Sequence, residues 1–137
     1  MKRFLIYLSY FTLILTAVFI AYLFYLSFYP LTIVKLNSFT VESKTVKRGE
    51  LITYNLDFQK IKNYNATTRY YFVDGIIVQL EGSGILRSVG EHKTTSNRVV
   101  PTTIVPGVYK MRIELDYKIT AWRTVTYVWE SNAFEIL

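Results

Sequence analysis

One uncharged stretch near the start of the chain limits what this protein can be. Residues 4–29 contain no charged residue, no glycine and no proline, and they lie between Lys2-Arg3 and Pro30. A helix of that length extends about 39 Å, enough to cross the roughly 30 Å hydrocarbon core of a bilayer with some tilt. Inside hydrocarbon, a helix satisfies its own backbone hydrogen bonds. The stretch therefore predicts a transmembrane helix that contacts the lipid bilayer through residues 4–29.

The helix is expected to remain attached to the chain as a signal anchor. Cleavable signal peptides have an apolar region of about 7–15 residues followed by a small-x-small site. Neither 20–23 nor 27–30 offers such a site. We therefore predict an anchor at 1–30 and a tethered domain at 31–137. Because basic residues precede the helix, the positive-inside rule puts the N-terminus in the cytoplasm and the domain outside it, in the periplasm or at the cell surface.

Tyrosines near both ends of the stretch match the aromatic belts of membrane interfaces. Tyr22, Tyr25 and Tyr29 share one helical face, and Ala17 with Ala21 forms a weak small-xxx-small pair. Interfacial anchoring explains the tyrosines most simply, and self-association through this helix stays open.

Composition excludes several kinds of site. Outside the Lys2-Arg3 pair, 14 of the 16 Lys and Arg residues remain against 10 Asp and Glu, a mild excess that does not predict nucleic-acid binding. The chain has no cysteine, which excludes disulfides, thiolate catalysis and cysteine-anchored lipid. With His92 as the single histidine, we predict neither a metal site nor a cofactor. Asn65 begins a glycosylation triplet, which matters only in a host with that machinery.

Alternation of apolar and polar residues predicts that the tethered domain is all-β. Asp74-Gly75 between two β-branched runs predicts a hairpin with a type I′ turn. Residues 82–95 contain three glycines and are expected to form a long exposed loop, with room for a short strand. Residues 31–41 are expected to form a short stalk that runs into a first strand. The other predicted strands cover 51–58, 67–73, 76–80, 98–105, 108–118 and 123–129, the last resuming at 133–136 after a bulge or a change of sheet.

The strand at 108–118 has the clearest alternation in the domain. Its apolar positions predict a buried face, and its charged positions predict an outer face of mixed sign. The predicted buried residues are Tyr109, Met111, Ile113, Leu115 and Tyr117, and the predicted outer residues are Lys110, Arg112, Glu114, Asp116 and Lys118.

The stretch Pro106-Gly107-Val108-Tyr109-Lys110-Met111 resembles the entry to strand F of immunoglobulin-like and fibronectin type III-like domains. In those domains a Gly-x-Tyr places a tyrosine corner, whose hydroxyl bonds back to the preceding loop. Met111 stands where antibody-type members have cysteine, and Leu56 or Tyr54 is the expected apolar partner on strand B. The resemblance implies an immunoglobulin-like antiparallel β-sandwich of about seven strands behind one transmembrane helix. A short anchor with one cysteine-free sandwich is also similar to small accessory membrane proteins of bacteria, phages and mobile elements.

No residue pattern in the domain predicts catalysis. Asp74 fits a turn, and Glu114 with Asp116 fits a solvated, salt-bridged strand face better than a catalytic carboxylate pair. His92 lacks a patterned acidic or nucleophilic neighbour, and Ser83 and Ser88 lack a nucleophile elbow. We therefore predict a protein without enzymatic activity.

Binding is the function that the sequence favours. The charged outer face at Lys110–Lys118 suits an electrostatically matched protein partner in an envelope or virion assembly. Trp122, between the last two strands, is the first candidate for a surface aromatic, and Trp129 is expected in the core. The alternative is a carbohydrate- or cell-wall-binding module that stacks sugars on exposed aromatics. A cluster of Trp122 with outward tyrosines would favour sugar, whereas a flat charged face or an unpaired edge strand would favour protein.

Overall fold

A computed structural model describes residues 1–74, 76–80 and 88–137. The chain divides into two units, Met1–Leu31 and Thr32–Leu137. The first unit contains one helix, and the described part of the second contains eight β-strands.

Helix α1 spans Lys2–Phe28 and confirms the predicted apolar helix. It ends at Phe28 because Tyr29 precedes Pro30, and a residue before proline is pushed out of the helical region. Tyr29 has ψ 126°, an extended value. The helix is long and apolar enough over Arg3–Phe28 to cross a membrane, as an anchor or as a signal sequence.

The polar groups of α1 are arranged for an apolar solvent. The hydroxyls of Thr12, Thr16 and Ser27 each donate to the carbonyl four residues earlier at 2.8 Å, and Ser9 donates to Ile6. Most apolar side chains along the helix are exposed in the isolated chain. Because exposed apolar surface costs about 25 cal/mol per Å² in water, an apolar environment is expected for such a helix, whether it serves as an anchor or as a signal sequence.

The second unit consists of two sheets. A three-stranded antiparallel sheet has the order β1-β3-β6, and a five-stranded sheet has the order β2-β8-β7-β4-β5. Only β2, which pairs with β8, is parallel to its neighbour among the described strands. The strands are β1 Val34–Val41, β2 Thr45–Val46, β3 Leu51–Lys60, β4 Ala66–Asp74, β5 Ile76–Leu80, β6 Gly90–Val99, β7 Gly107–Thr120 and β8 Arg123–Ile136.

The core lies between the two sheets and follows the predicted alternation. The five predicted inward residues of β7 are all buried, and Met111 and Ile113 are fully so. Aromatic pairs join the sheets: the Phe58 and Trp129 ring centroids lie 5.7 Å apart, and those of Tyr54 and Tyr70 lie 6.4 Å apart. Trp129 is therefore a core residue, as expected.

The all-β domain behind one apolar helix is confirmed, but an immunoglobulin-like sandwich is not established. The five-stranded sheet curls into a half-barrel instead of lying as one flat layer. The sequence resemblance correctly predicted one local feature, because the Tyr109 hydroxyl donates to the Val105 carbonyl at 2.7 Å. This single hydrogen bond defines a local tyrosine corner, and it does not determine how the two sheets are arranged.

The expected irregularity in the last strand is a β-bulge within a continuous β8. The register passes from Lys110↔Ala133 to Arg112↔Glu130, so β8 carries one residue more than β7 over this step. The Met111 amide, which faces the bulge, donates to the Ser131 hydroxyl at 3.0 Å. The bulge therefore keeps a buried backbone donor satisfied.

Two side chains of β8 hold the first strand against the larger sheet. Asn132 accepts from the Val41 amide at 2.7 Å and donates to the Val41 carbonyl at 3.2 Å. The Tyr127 hydroxyl accepts from the Ile33 amide at 3.0 Å. These bonds replace a backbone ladder between β1 and β8 in the described structure.

Replacing Asn132 with alanine is expected to lower the free energy of unfolding by about 1.5 kcal/mol, because both polar groups of Val41 lose a partner at a part-buried position. Urea unfolding of the full chain in detergent, followed by tryptophan emission, measures this change. Asn37→Ala is the matched control, since Asn37 donates to Asp57 at an exposed position, and it should cost less than about 0.5 kcal/mol. Equal losses for the two variants would contradict the assigned role of Asn132.

The predicted strand at 98–105 is wrong. Strand β6 instead covers Gly90–Val99, and residues 102–104 form a turn. Residues 90–95, expected in a long loop, thus belong to this strand, whereas 81–87 lie outside the described residues. The sequence misled because β6 is an edge strand whose inner-face positions are polar and half-buried, for example Thr94 and Ser96.

The hairpin between β4 and β5 is confirmed, but the type I′ turn is wrong. Val73 pairs with Ile77 and Asp74 pairs with Ile76, one position away from the predicted register. A type I′ turn requires positive φ at Asp74, and no described non-glycine residue has positive φ. Gly75 itself lies outside the described residues.

Candidate interaction surfaces

The outer face of the five-stranded sheet carries the predicted mixed charges, and most of them are paired across strands. Arg69 on β4 forms ion pairs with Glu114, at 3.4 Å, and with Asp116. Arg112 on β7 contacts Glu130 on β8 at 2.6 Å. Such exposed pairs contribute about 0–1 kcal/mol each. Together they place charges of both signs side by side across β4, β7 and β8.

The remaining two lysines of this face are differently placed. Lys110 lies 4.0 Å from Glu130, at the limit of an ion pair. Lys118 is exposed and joins none of the ion pairs among the described residues. The face thus has neutralised charge at its centre and positive charge toward the end of β7.

Exposed apolar side chains, which the sequence analysis missed, share this outer face. Val128 pairs with Glu114 across β7 and β8 and is 52% exposed, and Ile77 on β5 is 58% exposed. Val108 on β7 is similarly exposed, and Tyr71, opposite Arg112, is half-buried. We call these four residues together with the ion pairs the outer charged face. The outward position of each residue follows from the alternation along its own strand, but only the strand order shows that the four residues share one face.

Trp122 lies at the tip of a hairpin that extends beyond the rest of the sheet. Pairing between β4 and β7 ends at Ala66↔Tyr117, whereas β7 and β8 continue to Thr120↔Arg123. The Trp122 side chain is 61% exposed, which confirms a surface aromatic. No aromatic ring contact involves it among the described residues.

The predicted structural residues at the start of β7 serve packing. A Cβ on Gly107 would lie 3.2 Å from an Asp74 carboxylate oxygen and 3.5 Å from the Tyr109 ring, so a larger residue is crowded there. Met111 is fully buried opposite Phe72. These residues hold the sheet together and contribute no polar group to the outer charged face.

A cluster of Tyr54, Tyr70 and Arg98 lies at one side of the core. The Arg98 guanidinium carbon is 4.1 Å from the Tyr70 ring centroid, a cation–π distance. Burial, together with the neighbouring Tyr54, raises the pKa of Tyr70 to about 12. Arg98 also lines a groove of about 450 Å³ between β5 and β6. Because Tyr54 and Tyr70 are both buried, the cluster belongs to the core.

A small cavity lies between the sheets beside Lys60, which the sequence did not single out. Its volume is about 20 Å³, room for one water molecule. Lys60 is buried at the inner end of β3, and burial lowers its pKa. The cavity is lined by Leu56, Phe58, Lys60, Ile113, Leu115, Tyr117 and Trp129.

Neither a family model nor a curated protein sequence matches the chain. Among solved structures, a Niemann-Pick type C2 protein from Japanese carpenter ant matches with a TM-score of 0.54 at 11% identity, covering 80% of this chain and 96% of that one. At such low identity the match shows a similar β fold and carries no statement about function.

Two further structures match over small parts of larger proteins. Pseudomonas fluorescens alkylpurine DNA glycosylase AlkC, bound to DNA containing an abasic site analog, matches with a TM-score of 0.49 at 12% identity over 79% of this chain and 31% of that one. A mutant β-glucosidase from Listeria innocua, in complex with laminaribiose, matches with a TM-score of 0.36 at 14% identity over 76% and 16% of the two chains.

Proposed function

We propose that this chain is a single-pass membrane protein without enzymatic activity, whose extracytoplasmic β domain binds a protein partner through the outer charged face. The observation that carries the proposal is the mixture on that face of exposed Val108, Ile77 and Val128 with fixed charges of both signs. Protein interfaces combine apolar contact with charged groups that select the partner and its register. The domain has the character of an accessory module of an envelope or a phage.

Retention of α1 as an anchor is part of this proposal. The internally bonded hydroxyls of α1 and its length fit a helix that resides in hydrocarbon. The basic Lys2-Arg3 pair before the apolar run supports a cytoplasmic N-terminus. The resemblance at Gly107–Met111, with the Tyr109 hydrogen bond, supports an immunoglobulin-like relationship for the domain.

Carbohydrate binding is the weaker candidate. Stacking on sugar requires aromatic side chains grouped on one accessible face. Trp122 is accessible, but it stands at a hairpin tip, while Tyr70 and Trp129 are buried. Strand β6 is paired on one side only within the described residues, which also favours a protein partner.

Introducing negative charge at the apolar positions of the outer charged face is expected to abolish partner binding. In Ile77→Glu/Val128→Glu, two exposed apolar contacts become carboxylates that must be desolvated on binding, and at least a tenfold loss of crosslinked product is expected, about 1.4 kcal/mol. The experiment places a photo-crosslinking residue at Glu135, which is exposed on the same strand as Val128 and pairs with Val108 of the outer charged face. Crosslinking is done in intact membranes of the expressing cell, and the product is identified by mass spectrometry.

The matched control is Leu51→Glu/Val99→Glu. These residues are 60% and 59% exposed and pair with each other across β3 and β6 on the other sheet. The control variant should keep the crosslinked product. A product that survives the first variant, or that both variants remove equally, contradicts the assignment. A glycan screen with the same proteins then tests the carbohydrate alternative.

A further inference from the structure

The end of the domain at which β1 starts brings together three separate stretches of the chain. Val34 pairs with Lys60, so the start of β1 lies beside the end of β3. Lys60 and Tyr117 line the same cavity, so the last residues of β7 lie at this end as well. We call residues 32–36, 60–67 and 117–125 together the tether end.

The tether end holds the basic excess of the domain. Its three stretches contain five Lys and Arg residues and no Asp or Glu, whereas the tethered domain as a whole has an excess of four. The remainder of the domain is therefore net acidic by one. The five are Lys35, Lys60, Lys62, Lys118 and Arg123.

Exposed apolar side chains accompany these cations. Trp122 projects at the tip of the β7–β8 hairpin with 61% of its surface exposed, and Ile61, directly after β3, is 42% exposed. Tryptophan and lysine or arginine are the residues that concentrate at the membrane–water interface, where the indole lies at headgroup level and cations meet lipid phosphates. An exposed tryptophan among basic side chains is therefore the combination expected of a surface that binds the membrane–water interface.

Covalent geometry limits how far this end lies from the membrane segment. Between Phe28, the last residue of α1, and Val34, the first of β1, the chain extends at most about 20 Å. That limit follows from the number of bonds and holds in every conformation. It makes the bilayer around α1 the surface that the tether end meets at the highest local concentration.

We propose that the tether end is a membrane-docking surface, in which Trp122 enters the interface of the bilayer that holds α1 and Lys62, Lys118 and Arg123 contact anionic lipid headgroups. This inference rests on the membrane anchorage in the proposed function.

The test measures the depth of Trp122. The full chain is reconstituted in vesicles of phosphatidylcholine and phosphatidylglycerol, with or without bromine on the acyl chain of the phosphatidylcholine. The chain has two tryptophans, and Trp129 is buried, so Trp122→Phe defines the background emission. We expect brominated lipid to quench the Trp122-dependent emission at least twofold, and aqueous iodide to quench it weakly.

A matched control moves the reporter to the other end of the domain. Leu51 is 60% exposed at the far end of β3, about 30 Å from Lys60 along the strand. In Trp122→Phe/Leu51→Trp, the new emission should be insensitive to bromine and strongly quenched by iodide. The proposal is overturned if brominated lipid does not quench the Trp122 emission, or if it quenches the emission from positions 122 and 51 equally. Circular dichroism confirms that each variant is folded.

Charge dependence provides an independent readout. Lys118→Glu should at least halve the bromine quenching of Trp122 in anionic vesicles, whereas Lys44→Glu, an exposed lysine outside the tether end, should leave it unchanged. Equal effects of the two variants overturn the role of the tether-end cations. Loss of anchorage is a separate result, because a released domain would not sediment with the vesicles at all.

Discussion

Phe72→Ala is expected to remove about 4 kcal/mol from the free energy of unfolding of the domain. The Phe72 side chain is fully buried, with ring centroids 5.5 Å from Phe134 and 6.5 Å from Tyr109. Removal of the ring loses its transfer free energy and leaves a cavity in the core, bordered by the Tyr109 and Phe134 rings, that these aromatic neighbours cannot fill. Since domains of this size are stable by about 5–15 kcal/mol, the loss is a large share of the total.

Tyr71→Ala is the matched control for this prediction. Tyr71 is the next residue of the same strand, half-buried on the outer face. Its loss should cost less than about 1.5 kcal/mol. Urea unfolding of the full chain in detergent micelles gives both values. If the two variants lose equal stability, the assignment of Phe72 to the buried face of β4 and of Tyr71 to its outer face is wrong.

Raising the pH from 10 to 12 is expected to lower the stability of the domain by about 2 kcal/mol through Tyr70 alone. Burial disfavours the phenolate, and the neighbouring Tyr54 adds to this, so the pKa of Tyr70 rises from 10.0 to about 12. Between these values the unfolded chain releases the proton while the folded domain keeps it. The contribution is therefore fully present below pH 10 and is lost as pH rises through 12.

The variant Tyr70→Phe isolates the contribution of Tyr70 to the pH dependence of stability, because phenylalanine fills nearly the same space and does not ionise. The variant should lose about 2 kcal/mol less than the parent between pH 10 and 12, with other tyrosines, such as Tyr117, contributing equally to both proteins. The measurement is urea unfolding at a series of pH values. Parallel curves for parent and variant would show that Tyr70 keeps an ordinary pKa in the folded state.

The parts of the fold that the sequence predicted are those in which local pattern and burial agree. The apolar run ending before Pro30 required a helix, and β7 alternates strictly, so its buried face followed from the side chains alone. The Tyr109 hydrogen bond was predicted from a short motif because the bond spans only four residues.

The parts that the sequence did not predict depend on which strands are neighbours. Strand β6 has no apolar alternation, since it is an edge strand whose inner positions need only be half-buried. The two residues of β2 form a strand only because β8 lies beside them in parallel. The register at Asp74 was mistaken because pairing along β4 and β5, and not the turn residues alone, determines where the hairpin closes.

The same distinction applies to the candidate surfaces. The charges of β7 were predicted to face outward, but their partners Arg69 and Glu130 lie 47 and 18 residues away from the β7 residues they contact and became evident only from the strand order. Trp122 was identified from its place between two strands. The tether end could not be recognised beforehand, because its three stretches are separated by dozens of residues and meet only through strand pairing.

The extra residue in β8 has a consequence for which changes in chain length the domain tolerates. Trp129 and Ser131 face the core before the bulge, and Phe134 and Ile136 face it afterwards. Removing Asn132 would restore simple alternation with Phe134 and Ile136 still facing inward, but it would also remove the two hydrogen bonds to Val41. Removing Glu135, beyond the bulge, would instead turn Ile136 outward. The extra residue therefore lets β8 lose one residue at the bulge without reversing its faces, at the cost of its hydrogen bonds to β1.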